Sequence, residues 1–140
     1  SYAAACIANE LLSRSTSVIM TSFAKILQTI GDIKVDESAY MARLNSAKLL
    51  ILDDLGTERD TGYAIEKVYN IIDSRYLAEK PLILTTNLDF QDMENCQDIR
   101  YKRVYDRILE KCYPVRVAGN SWRMEEAAKR FDEMKKILEA

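Results

Sequence analysis

Apolar positions along this 140-residue chain fall into two spacings, three-to-four and continuous. Ala4, Ile7, Ala8 and Leu11 share one helix face and predict a helix over 1–12. Val18-Ile19-Met20 is a short apolar run that predicts a strand within 15–22. Phe23, Ile26, Leu27 and Ile30 return to helical spacing, and Gly31 ends that segment. Residues 37–46 predict another helical turn or two. Leu49 to Leu52 is continuously apolar, as suits a strand buried on both faces, so 48–53 is read as a strand. A polar loop is expected at 57–62. Ala64, Val68, Ile71, Ile72 and Tyr76 then mark a long amphipathic helix over 62–79, ended by Pro81. Leu82 to Thr86 reads as a strand, 87–98 as polar loop, and 99–112 as a helix carrying Tyr101, Val104, Tyr105, Ile108 and Leu109. A last short strand is expected at Val115 to Val117. A final helix over 121–139 is expected to turn Met124, Ala127, Phe131, Met134 and Leu138 inward. Short apolar strands alternating with helices imply an α/β fold with a parallel sheet. With no repeat or Pro/Gly-rich linker, 1–140 reads as a single domain.

Composition narrows the function classes. Hydrophobic residues make up 48% and charged residues 30%, the balance of an ordinary globular chain. The net charge of −2 provides no global basic field, so any nucleic-acid contact must come from a local patch. The absence of histidine excludes histidine-based catalysis and histidine metal sites. Cys6, Cys96 and Cys112 are odd in number and lack metal-like spacing, which reads as reduced thiols in a cytoplasmic protein. No apolar run approaches the roughly 20 residues of a membrane span, and no signal peptide is visible. The chain opens at Ser1 without Met, so a fragment is expected.

The chemistry concentrates where Leu49-Leu50-Ile51-Leu52 runs into Asp53-Asp54. Two tandem carboxylates cannot belong to an apolar core. At the carboxyl end of a strand they sit where open α/β sheets place ligands, and there they can hold Mg²⁺ and polarise a water. The bland alternative is a solvated loop start or a helix N-cap. About thirty residues later another strand ends in Thr85-Thr86-Asn87. Asn87 is either a polar group aimed at the same pocket or a turn residue. Arg103 and Arg107 lie four apart on one helix face, and the bland alternative for Arg107 is an exposed arginine paired with Asp106 or Glu110. Gly119-Asn120-Ser121-Trp122-Arg123 opens the last helix, where Arg123 has Glu126 as an alternative partner and Trp122 reads as packing.

Taken in order, these motifs resemble the ATPase domain of DnaC/DnaI-type replicative helicase loaders and the related IstB transposition helper ATPases. The residues that carry the resemblance are Leu49 to Gly56, Leu82 to Asn87, Arg103 to Ile108 and Gly119 to Arg123, with Ser1 to Leu11 similar to the helix after a Walker A loop. The resemblance implies a P-loop NTPase of AAA+ type: a parallel sheet flanked by helices, here lacking the N-terminal strand and the Walker A loop. It implies ATP and Mg²⁺ as cofactors. Asp53 and Ser1 would hold Mg²⁺, Ser1 and Arg123 would bind nucleotide, Asp54 would orient the lytic water, and Asn87 would assist. Arg107 would act in trans as an arginine finger, with Arg103 as its alternative. Without Walker A, these 140 residues are expected to bind ATP poorly, and Asp54 in place of Glu fits weak or partner-stimulated hydrolysis. The implied partners are a hexameric replicative helicase, single-stranded DNA and further copies of the chain, with no membrane. Phe23 and Lys25 match the family's DNA contacts, although Phe23 at helical spacing is more simply core; Lys102 and Arg103 are weaker candidates. Two alternatives stay open: an IstB-like transposition helper, and a non-catalytic binding module with a vestigial site.

Overall fold

The computed structural model describes residues 1–56, 61–119 and 121–139. Three parallel strands, β1 (Val18–Ser22), β2 (Leu49–Leu55) and β3 (Leu82–Thr86), form one sheet in the order β1-β2-β3. The central strand is the continuous apolar run. Leu50, Ile51 and Leu52 are fully buried, as expected for a strand covered on both faces.

Alternation along β2 sorts the core into two layers. Leu50, Leu52 and Leu55 join Phe23, Ile26, Leu44, Val68, Ile71, Ile72, Val104 and Ile108 on one face. Those residues come from α2 (Phe23–Ile30), α3 (Glu37–Ser46), α4 (Gly62–Leu77) and α6 (Ile99–Lys111). Leu49 and Ile51 face the opposite way, against Ala4 and Ala8 of α1 (Tyr2–Ser13). Small alanines let that helix approach the sheet closely. Helix starts follow their caps. Ser22, Asp36, Thr61 and Asp98 each accept a backbone N–H from the first turn of α2, α3, α4 and α6.

One buried cation ties the lower edge together. Arg75 of α4 is 1% exposed and donates to the carbonyl oxygens of Ala47 at 2.9 Å, Asn45 at 3.3 Å and Lys48 at 3.4 Å, and also to that of Pro81. Its guanidinium thereby joins the end of α3 to the starts of β2 and β3. No carboxylate faces it among these hydrogen bonds, and burial pulls its pKa below the ordinary arginine value.

Four expectations are corrected. Residues 87–98 are not all loop, because a short helix, α5 (Phe90–Glu94), buries Met93. Val115 to Val117 form no strand; both valines are exposed, and neither edge of the sheet reaches them. The last helix, α7 (Trp122–Glu139), buries none of its residues, so Met124, Ala127, Phe131, Met134 and Leu138 face solvent. Helical periodicity identified an apolar stripe, but nothing among the described residues covers it. Phe23 is 0% exposed in the core, so its ring cannot stack on a base. The loop expected at 57–62 lies mostly outside the described residues, as does Asn120.

Candidate nucleotide site

The tandem acids sit at the carboxyl end of β2, where the ladder with β3 breaks. Pairing runs Leu50 with Leu82, Ile51 with Ile83 and Leu52 with Leu84, then resumes at Leu55 with Thr86. Asp53 is half-buried and Asp54 is exposed, with φ of 58° in the left-handed region. Gly56 continues the turn at φ 99°, a conformation open to glycine, with the Leu88 side chain 3.3 Å from where a Cβ would stand.

Asp53 shares its sheet face with Leu49 and Ile51, and so looks toward the start of α1. There Ser1 Oγ lies 2.8 Å from Asp53 Oδ1 and 2.9 Å from Oδ2, donating to the carboxylate. Thr85 of β3 donates its hydroxyl to Asp53 Oδ1 and accepts the Asp54 N–H at 3.0 Å. Burial alone would raise the Asp53 pKa. The hydrogen bonds from Thr85 and Ser1, together with the positive amino terminus and the Asp54 side chain, outweigh it and hold the carboxyl below its ordinary value. In the sequence Thr85 is marked only as a residue of its strand; the signal for its role is a hydroxyl directly before the Thr86-Asn87 tip.

The donor set fits a hard cation. A carboxylate and two hydroxyls are all-oxygen groups, and Mg²⁺ is commonly held by one or two carboxylates with substrate phosphates and water completing the shell. No group of three or more His, Cys, Asp or Glu gathers among the described residues.

The remaining candidates are less closely gathered. Asn87 is exposed directly after β3. Arg123 opens α7 and is exposed; its neighbour Trp122 stacks on Tyr2, with centroids 6.0 Å apart and planes at 21°. That stack sets the start of α7 against the first turn of α1. Arg107 lies elsewhere, on the face of α6 that packs against α4. Its Nε is 3.2 Å from Asp73 Oδ1, its Nη1 is 3.5 Å from Glu110, and its guanidinium lies 4.6 Å over the Tyr76 ring. Contact with the Tyr69 hydroxyl, foremost, keeps its pKa above the ordinary arginine value. Arg103 stacks on Tyr69 at 4.8 Å. Lys25 is exposed and lines a shallow cleft with Thr21, Thr29, Tyr40 and Arg43.

Residues 1–130 match the family described as IstB-like ATP binding protein. The chain is 29% identical over 111 residues to the replicative helicase loader DnaC of Escherichia coli K12, covering 76% of this chain and 44% of that protein. It is 26% identical over 125 residues to the phage-like element PBSX protein XkdC of Bacillus subtilis, covering 84% and 46%. It thus spans less than half the length of these curated relatives. Among solved structures, the DnaI crystal structure superposes with a TM-score of 0.68 at 24% identity, covering 81% of this chain and 61% of that one. The replication initiator DnaA bound to AMPPCP and single-stranded DNA gives a TM-score of 0.57 at 24% identity, covering 69% and 31%. These likenesses establish the fold as part of a P-loop NTPase of AAA+ type.

Proposed function

Because the chain belongs to the IstB-like ATP-binding protein family, we propose that it is the nucleotide-responsive part of a cytoplasmic AAA+ ATPase that helps load a hexameric replicative helicase onto single-stranded DNA. The observation that supports this most is the Asp53–Ser1–Thr85 cluster beside Asp54, at the carboxyl end of a buried parallel strand. Asp53 and Ser1 would hold Mg²⁺, which when bound neutralises phosphate charge. Asp54, exposed beside them, orients the attacking water and accepts its proton. Asn87, directly after β3, would help position that water. Arg123, next to the Trp122 that stacks on Tyr2, would bind nucleotide phosphate in cis. Arg107 serves a neighbouring copy, and must leave Asp73 and Glu110 to do so.

Lys25, with Arg43 beside it, supplies the cationic side of a DNA contact; the buried Phe23 takes no part. The likeness to DnaC supports the helicase as partner.

The test is nucleotide turnover by the natural gene product, measured with and without helicase and single-stranded DNA. Asp54→Asn is expected to retain ATP binding and to lose at least about 100-fold of the stimulated rate, the scale of a lost general base. Unchanged turnover in Asp54→Asn would contradict the reading. Binding of DNA or helicase without any ATP response would favour a vestigial interaction module.

A further inference from the structure

We propose that Thr85 is the positioning residue for both tandem acids, setting the Asp53 carboxylate and the Asp54 backbone with one hydroxyl. This deepens the ATPase reading and rests on it. Register carries the argument. Between the pairs Leu52–Leu84 and Leu55–Thr86, two residues of β2 stand opposite one residue of β3. That is a β-bulge, and bulges re-aim side chains beside functional sites. Asp53 and Asp54 are the two residues on the long side, and Thr85 is the one opposite.

A bulge takes an N–H out of the regular ladder, and an unpaired backbone donor is costly. Here the Asp54 N–H goes to Thr85 Oγ1 at 3.0 Å. Accepting that bond fixes one lone pair of the hydroxyl. Its single hydrogen is then directed to Asp53 Oδ1. One side chain therefore satisfies the bulge and locks the carboxylate. It also holds Asp54 at φ 58°, a conformation that releases Asp54 from strict strand alternation. Without the hydroxyl, the Asp54 backbone loses its hydrogen bond to Thr85.

The conservative pair Thr85→Ser and Thr85→Val separates this from a packing role, because valine keeps the shape and serine keeps the hydroxyl. Two NMR readouts are taken on the full chain. Amide exchange at Asp54 reports the bulge bond. Paramagnetic broadening of the Asp53 and Asp54 amides by Mn²⁺ alone reports metal placement. Thr85→Val should expose the Asp54 amide to exchange and demand about 10-fold to 100-fold more Mn²⁺, the scale of lost outer-shell support. Thr85→Ser should restore both; if the valine protein does not fold, Thr85→Ala takes its place. Wild-type exchange and Mn²⁺ response in the variant lacking the hydroxyl would overturn the proposal. No Mn²⁺ effect on the wild type would overturn the ATPase reading instead, leaving amide exchange to decide for or against Thr85.

Discussion

The Ser1 hydroxyl sits within 2.9 Å of both carboxylate oxygens of Asp53, 52 residues further along the chain. The start of α1 is thereby tied to the end of the central strand. The contact is stronger with an ionised acceptor, which gives it a pH signature. A carboxyl held below its ordinary value of 3.8 contributes stability above that pH. The contribution is lost as pH falls below 3.8 toward the folded-state pKa. Urea unfolding at several pH values should show the wild type losing stability relative to Asp53→Asn across that acid window. Equal pH dependence of the two proteins would remove the hydroxyl–carboxylate link.

Arg75 should be the costliest polar residue to remove. Its side chain fills a buried position and serves carbonyl oxygens from Asn45, Ala47, Lys48 and Pro81. Arg75→Ala would leave a cavity and unpaired acceptors, so a loss of about 3 kcal/mol is expected in urea unfolding. Arg75→Lys should recover little, because a single ammonium cannot reproduce the fork of donors. A loss below about 1 kcal/mol in Arg75→Ala would contradict this account.

Phe23 and Lys25 should separate stability from DNA affinity. Phe23→Ala is expected to cost about 3–5 kcal/mol, whereas Phe23→Leu keeps most of the volume and costs under about 1.5 kcal/mol. Single-stranded DNA binding should survive Phe23→Leu and weaken in Lys25→Ala, with a shallower dependence on salt concentration. The opposite pattern, with binding lost in Phe23→Leu alone, would restore Phe23 as a base contact.

The trans role of Arg107 is open to a mixing experiment. Arg107→Ala and Asp54→Asn proteins should each be nearly inactive alone. Mixed, they form interfaces that pair an intact Asp54 with an intact Arg107, and part of the stimulated ATPase should return. No recovery on mixing would place Arg107 in a structural role, held by Asp73 and Tyr76 as it is here.

What the sequence disclosed follows from how local each signal is. The β2 strand and its terminal acids were legible because an apolar run and a charge pair are properties of consecutive residues. The bulge was not, since it depends on Thr85 of another strand. Arg75 was invisible for the same reason, because its partners come from α3, β2 and β3. The stripe on α7 was read correctly as apolar and wrongly as inward. Periodicity fixes which side of a helix is apolar, and only a neighbouring element decides whether that side is covered. The same holds for Val115 to Val117, whose strand-like alternation has no adjacent edge among the described residues.

The central claim is that the tandem acids form a nucleotide–metal site, and fluorescent ATP titration with and without Mg²⁺ tests it most directly. The natural gene product should bind ATP in a Mg²⁺-dependent way, and Asp53→Ala should weaken that binding about 10-fold or more while the fold is kept. Binding indifferent to both Mg²⁺ and Asp53→Ala, or no binding at all, would contradict it.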